Sequence, residues 1–156
     1  MPQEHLPLLN LSPADVSRRV LVVGDPARAA KAATLLDDAQ QVGNNREYAT
    51  FSGGYRGQRI TVVSHGIGSA GAGLAFEELA RGGARTLIRV GTCGAVADGI
   101  DDGSAILATG AVRDEGLTPR LIPLGYPALA HHEVIIGLAE AAAQAQTPVH
   151  SGIVLT

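Results

Sequence analysis

An arginine inside an apolar strand is the first sign of chemistry in this chain. Leu87 and Ile88 run into Arg89-Val90-Gly91-Thr92-Cys93-Gly94-Ala95, which is expected to bring a permanent cation to the buried C-terminal end of a strand, beside flexible backbone that carries a hydroxyl. Burying such a charge is costly unless an anion or a satisfied carboxylate meets it. Ligands of open α/β sheets gather at those same strand ends. A second segment has the same plan: Val20-Leu21-Val22-Val23, then Gly24-Asp25-Pro26-Ala27-Arg28, a strand, a glycine and an arginine one helical turn on. Two arginines converging on one oxyanion would suit phosphate. The competing accounts are a structural ion pair with Glu77 or Glu78 for Arg89 and a solvated helix surface for Arg28. For Arg46, in Asn44-Asn45-Arg46-Glu47-Tyr48, the alternative is an edge-strand charge that discourages aggregation.

Gly66-Ile67-Gly68-Ser69-Ala70-Gly71 fits G-x-G-x-x-G between an expected strand and an expected helix, which is the fingerprint of a dinucleotide-binding module. That fingerprint also needs an acid at the end of the next strand, and the position reads Arg89-Val90-Gly91. An arginine there would suit a 2′-phosphate, so the module stands as an alternative. The more economical account is that the glycines let backbone N–H groups and a helix N-terminus approach a small anion. His5 falls in an N-terminal segment that ordinarily frays, and His65 suits a packed or capping place as well as a functional one. His131-His132-Glu133 makes no metal site, because adjacent helical residues face apart and no second cluster completes a ligand set. Asp98, Asp101 and Asp102 lack calcium-loop spacing and are expected in turns. Cys93, with no legible base around it, is expected to be a small buried thiol.

The elements that must place these residues alternate strand and helix, which argues for a layered α/β domain around a largely parallel sheet. The strand 20–23 leads into a helix with Asp25 as N-cap, Pro26 at its first position, and Ala29, Ala32, Ala33 and Leu36 on its packed face. Residues 46–64 read as two strands joined at Tyr55-Arg56-Gly57-Gln58. A glycine-rich turn, 66–73, opens a helix with Ala72, Ala75, Phe76, Leu79 and Ala80 on one face; Gly82-Gly83 ends it before a strand at 86–90. Beyond a loop rich in Gly and Asp, 97–103, come a strand at 105–108 and a long irregular stretch through Pro119, Pro123 and Pro127. A helix carrying Val134, Ile135, Leu138, Ala141 and Ala142 and a strand at 149–155 close the chain.

The 156 residues, 46% hydrophobic and 17% charged, suit a single domain with one core. A net charge of -3 and only 3% aromatic residues leave neither a basic surface nor stacking platforms, so a nucleic-acid polymer is not an expected partner. No apolar run reaches membrane-spanning length, the first five residues lack the order of a signal peptide, and the lone cysteine suits a reducing compartment. A cytoplasmic protein is expected.

Together, Gly24-Asp25-Pro26-x-Arg28, Asn45-Arg46-Glu47-Tyr48, His65-Gly66-Ile67-Gly68, Glu77-Glu78-Leu79-Ala80 and Arg89-Val90-Gly91-Thr92-Cys93-Gly94-Ala95 resemble, in order and spacing, the nucleoside phosphorylase I family. Within it the chain looks most like uridine phosphorylases, through Arg46-Glu47-Tyr48 with Phe51 and through residues 77–80 leading to Arg85-Thr86. Purine nucleoside and methylthioadenosine phosphorylases are the alternatives. The resemblance implies an α/β/α phosphorylase-like fold around a central mixed, largely parallel sheet, and reversible phosphorolysis of a nucleoside to free base and ribose 1-phosphate. Inorganic phosphate would be the co-substrate, with no metal or organic cofactor. Gly24, Arg28, Arg89 and Thr92 would hold phosphate, with Arg46 completing the clamp from a neighbouring subunit, and Arg89 and Thr92 would be the catalytic pair. His5 would cross the same dimer interface to the ribose, which Thr92 also meets, and Cys93 and Gly94 would lie beside the base. The chain departs from the family at Gly68-Ser69-Ala70-Gly71, where a Gly-Gly-Pro-Ser run is usual, so a looser turn is expected. It also stops at Thr156, before the segment in which relatives carry base recognition and a glutamate-rich ribose motif. The expectation is therefore one incomplete domain over residues 1–156, cut at its C-terminus, with 149–155 left as an apolar edge. A non-catalytic phosphate-binding or assembly subunit is the further alternative.

Overall fold

The structure, a computed structural model, describes residues 5–156. Those residues form two compact units, one ending at Thr92 and the other comprising Cys93–Thr156. The first unit contains β1 (Arg19–Val23), α1 (Pro26–Ala33), β2 (Asp37–Asn45), β3 (Tyr48–Tyr55), β4 (Gln58–Ser64), α2 (Gly68–Arg81) and β5 (Thr86–Val90). Its sheet has the order β2-β3-β4-β1-β5. β1 runs parallel to both β4 and β5, whereas β3 is antiparallel to β2 and β4. This is an α/β fold with a central mixed, largely parallel sheet flanked by helices.

The period-two alternation of the strands explains the layers. Leu21 and Val23 face a cluster with Ala29, Ala32 and Leu36, which lays α1 and the turn after it on one face. Val20, Val22 and Val63 face Ala75, Phe76 and Leu79, which lays α2 on the other. Asp25 starts α1 as expected: its Oδ1 accepts the Ala27 N–H at 2.8 Å, and Pro26 follows in the first helical position. The β3–β4 hairpin turns on Arg56 and Gly57, with φ of 47° and 74°, the two left-handed residues that a two-residue type I′ turn requires.

Three local features differ from the sequence pattern. β2 had no signal, because Asp37-Asp38-Ala39-Gln40-Gln41 is polar and does not alternate. Its pairing with β3 makes it a strand, and the register slips twice along the way. Arg46 therefore lies not in a strand but in the β2–β3 turn, at φ 53°. On α2, Ala80 is exposed and Glu78, 7% exposed, takes the inward position.

The Glu78 carboxylate accepts the Leu8 N–H at 2.9 and 3.1 Å and the Leu9 N–H at 2.9 Å. This anchors the N-terminal loop, whose Leu6, Leu9 and Leu11 are buried, so the expected fraying does not extend into it. His5, just ahead of it, is exposed.

The second unit holds β6 (Ala105–Val112), α3 (Thr118–Leu121), α4 (His132–Gln144) and β7 (Val149–Leu155). β6 and β7 pair in parallel, with α4 on the crossover between them. The proline-bearing stretch is irregular apart from α3. The Arg113 guanidinium gathers it by donating to the carbonyls of Pro123, Leu124 and Tyr126 at 2.8–2.9 Å. Ile153 and Leu155 of β7 are exposed.

Removing the Glu78 carboxylate strips one buried and one partly buried backbone N–H group of their acceptor. Glu78→Ala is expected to cost about 3 kcal/mol of unfolding free energy, read as a lower urea midpoint; an unchanged midpoint would show that the N-terminal loop is held by packing alone.

Candidate anion-binding cleft

Parallel register sets the site. Val22 of β1 is level with Val63 of β4 and with Arg89 of β5, so the three strands finish on one rim. The connections leaving that rim are drawn together by the His65 N–H on the Val23 carbonyl and the Gly66 N–H on the Gly24 carbonyl, both 2.9 Å. There a cleft of about 740 Å³ opens, lined by Gly24, Asp25, Pro26, Arg28, Glu47, Gly66, Ile67, Gly68 and Arg89.

Two glycines make this geometry possible. Gly66 has φ 71°, and a Cβ there would come within 2.6 Å of Glu47 Cγ. A Cβ on Gly71 would stand 2.7 Å from the His65 carbonyl, so its absence lets α2 close on the strand end. The N-cap residue of α2, Ile67, provides no side-chain hydrogen bond, so the first backbone N–H groups of the helix remain uncapped beside the cleft.

Arg89 is not buried, contrary to expectation. β5 has only β1 as a neighbour among the described strands, and both Arg89 and Val90 are exposed. Nor does Arg89 meet the acids considered for it: Glu78 is engaged by Leu8 and Leu9, and Glu77 is exposed on α2. Its Nε donates instead to Nε2 of His65 at 3.0 Å. His65 is 2% exposed, and its pKa is lowered first by burial and then by the neighbouring Arg89 charge. The imidazole is therefore neutral at pH 7 and can accept. Arg28 is exposed and lines the cleft; among the described residues neither arginine has a carboxylate partner. Asp25, the acid nearest Arg28 in the chain, is held by the first turn of α1.

Of the residues expected in a phosphate site, the cleft gathers Gly24, Arg28 and Arg89. Arg46 is exposed on its turn, and Thr92 is exposed two residues beyond β5; neither lines the cleft, and nor does His5. Cys93 and Gly94 open the second unit and are exposed, so the buried thiol is corrected: residues 91–96 have no regular structure to cover it. Glu47 and the Arg89 partner His65 went unassigned in the sequence. Glu47 reaches the cleft through the turn after β2, and that strand carried no periodic signal. A smaller groove of about 400 Å³ includes Asp37, Asp38 and Arg59, but the Arg59 guanidinium there is already bonded to Ser52 Oγ and the Ala14 carbonyl. Among the described residues no group of His, Cys, Asp or Glu could hold a metal ion, and no helix is long and apolar enough to cross a membrane.

The family profile described as Phosphorylase superfamily matches residues 18–156. A uridine phosphorylase of Thermococcus kodakarensis is 45% identical over 141 residues, which cover 90% of this chain and 51% of that protein. A purine nucleoside phosphorylase of Plasmodium vivax is 38% identical over 155 residues, covering 99% of this chain and 62% of that one. The crystal structure of uridine phosphorylase from Vibrio fischeri ES114 matches with a TM-score of 0.95 at 35% identity, covering 100% of this chain and 65% of that one. The chain thus spans between half and two thirds of the length of these relatives.

Because the folded pKa of His65 lies below its ordinary value of about 6.5, the unfolded chain takes up the proton first as pH falls. The His65 contribution to stability is thus complete above about pH 6.5 and declines as pH drops through the folded pKa. Urea midpoints of the wild type are expected to fall more steeply below that pH than those of His65→Gln; parallel slopes would mean that burial does not depress this imidazole.

Proposed function

The chain belongs to the phosphorylase superfamily, and from that premise we propose that it carries the phosphate half of a nucleoside phosphorylase site, of the uridine phosphorylase kind. The observation that carries this reading is the single rim on which Gly24, Arg28 and Arg89 line one cleft with no carboxylate among the described residues paired to either arginine. With its Nε–H on His65, Arg89 keeps the N–H groups of Nη1 and Nη2 for an oxyanion.

In the proposed reaction a phosphate oxygen attacks the anomeric carbon of a nucleoside as the bond to the base breaks. The base leaves with the bonding pair and takes up a proton, and ribose 1-phosphate remains. Positive charge develops on the sugar in the transition state. A phosphate held by Arg28 and Arg89 then serves both as oriented nucleophile and as the anion facing that charge. Arg89 and Thr92 are the proposed catalytic residues, with Thr92 also meeting the ribose and Cys93 and Gly94 beside the base. Arg46 and His5 are assigned to the site of a neighbouring subunit in a homodimer unit. Their exposure away from their own chain's cleft supports that assignment. Both units are read as parts of one phosphorylase-like domain in a cytoplasmic enzyme that needs inorganic phosphate and no metal or organic cofactor. The similarity to a purine nucleoside phosphorylase makes a purine nucleoside the second substrate reading.

Calorimetric titration with inorganic phosphate, followed by assay of base release from uridine and inosine, tests the proposal. Arg89→Ala is expected to weaken phosphate binding at least about tenfold, the loss of one charge-assisted hydrogen bond, while Arg120→Ala on α3 leaves it unchanged. Release of uracil supports the first reading and release of hypoxanthine the second. Phosphate binding without release assigns the chain as a non-catalytic subunit, and a wild-type chain that ignores phosphate overturns the proposal.

A further inference from the structure

We propose that His65 is a positioning residue whose unprotonated Nε2 holds the Arg89 guanidinium for its anion without neutralising it, while the missing Cβ of Gly91 leaves that guanidinium its room. The inference rests on Arg89 being a phosphate ligand and says how a cation at an exposed strand end is kept both oriented and charged.

Arginine carries only donors, so whatever fixes it must offer a lone pair. A carboxylate would do so at the cost of a charge pair, and its two oxygens would compete with phosphate for the forked Nη groups. His65 accepts the Nε–H alone, at 3.0 Å. With Nε2 accepting, the imidazole proton must sit on Nδ1, and Nδ1 is buried with no hydrogen-bond partner. A histidine kept only for packing gains nothing from that arrangement, because an unsatisfied buried donor is destabilising. Its compensation is the bond to Arg89.

The ring is fixed from several directions. The residue's backbone N–H is tied to Val23 on β1, its ring makes a T-shaped pair with the Phe76 ring of α2 at 6.2 Å and 73°, and its carbonyl lies under Gly71. On β5 the guanidinium lies against the backbone of Gly91: a Cβ there would fall 2.5 Å from Nη1 and 3.2 Å from Cζ. Gly91 does not have the positive φ that would demand glycine, so space is what its lack of a side chain provides.

Two measurements on the whole 156-residue chain test this. Long-range 1H–15N spectra of the wild type at neutral pH should show His65 with its proton on Nδ1, a bare Nε2, and a slowly exchanging Arg89 Nε–H. Calorimetric titration with inorganic phosphate should then show His65→Leu and Gly91→Ala binding about tenfold more weakly, and His65→Gln, whose amide oxygen can accept, within about threefold of wild type. Circular dichroism reports whether each variant is folded. Should His65→Leu not fold, Gly91→Ala and the spectrum still decide. A proton on Nε2, a folded His65→Leu that binds like wild type, or His65→Gln no better than His65→Leu would overturn the proposal. If the wild type binds no phosphate, the phosphorylase reading fails, and the spectrum alone decides whether His65 holds Arg89.

Discussion

The rest of the structure depends on the parallel register of β4, β1 and β5, in which Val22 sits level with both Val63 and Arg89. Residues two beyond Val63 and two beyond Val22 leave their strands together, which puts His65 beside Arg89 and Gly24 beside Gly66. A slip of one residue in either pairing would send the alternating side chains to the opposite face. The buried halves of β1 and β4 resist that slip, because Val20, Val22 and Val63 are committed to the α2 side while Val23 and Val62 are committed to the α1 side. The cores on the two faces therefore hold the rim as well as the fold.

Of the acids around this rim, two have backbone partners. Asp25 caps α1, and Glu78 holds the N-terminal loop through backbone N–H groups. Glu47 is the remaining acid on the cleft, placed by a turn that exists only because β2 and β3 pair. Among the described residues the two arginines of the cleft have no carboxylate partner, the N-terminus of α2 is uncapped and the imidazole that accepts from Arg89 is neutral at pH 7, while Asp25 and Glu47 share the same lining.

The chain that has this arrangement belongs to the phosphorylase superfamily. A strand-to-helix glycine, an arginine one turn into the helix and an arginine near the end of a neighbouring strand form one site only where the strands are parallel and adjacent. Solved structures of relatives match 99–100% of this chain at 35–39% identity. The second unit, a parallel strand pair with α4 on its crossover and a loop gathered by Arg113, adds secondary structure that each part of its own sequence supports.

Much of this was legible in the sequence because it is local. The Asp25-Pro26 cap, the Arg56-Gly57 turn, the glycine stop of α2 and the alternating apolar strands are set by residues within a few positions of one another. Arg89 was conspicuous too, since an arginine among aliphatic residues stands out against its neighbours, but its burial was not as expected. Tertiary structure alone decided that a polar run becomes β2, that Glu78 turns inward to hold Leu8 and Leu9, that Arg89 stays exposed on an edge strand, and that its partner is His65, 24 residues away, and not an acid on α2. Each of these depends on which strands become neighbours and in what register, and the periodicity of a single segment does not encode pairing between segments far apart in the chain.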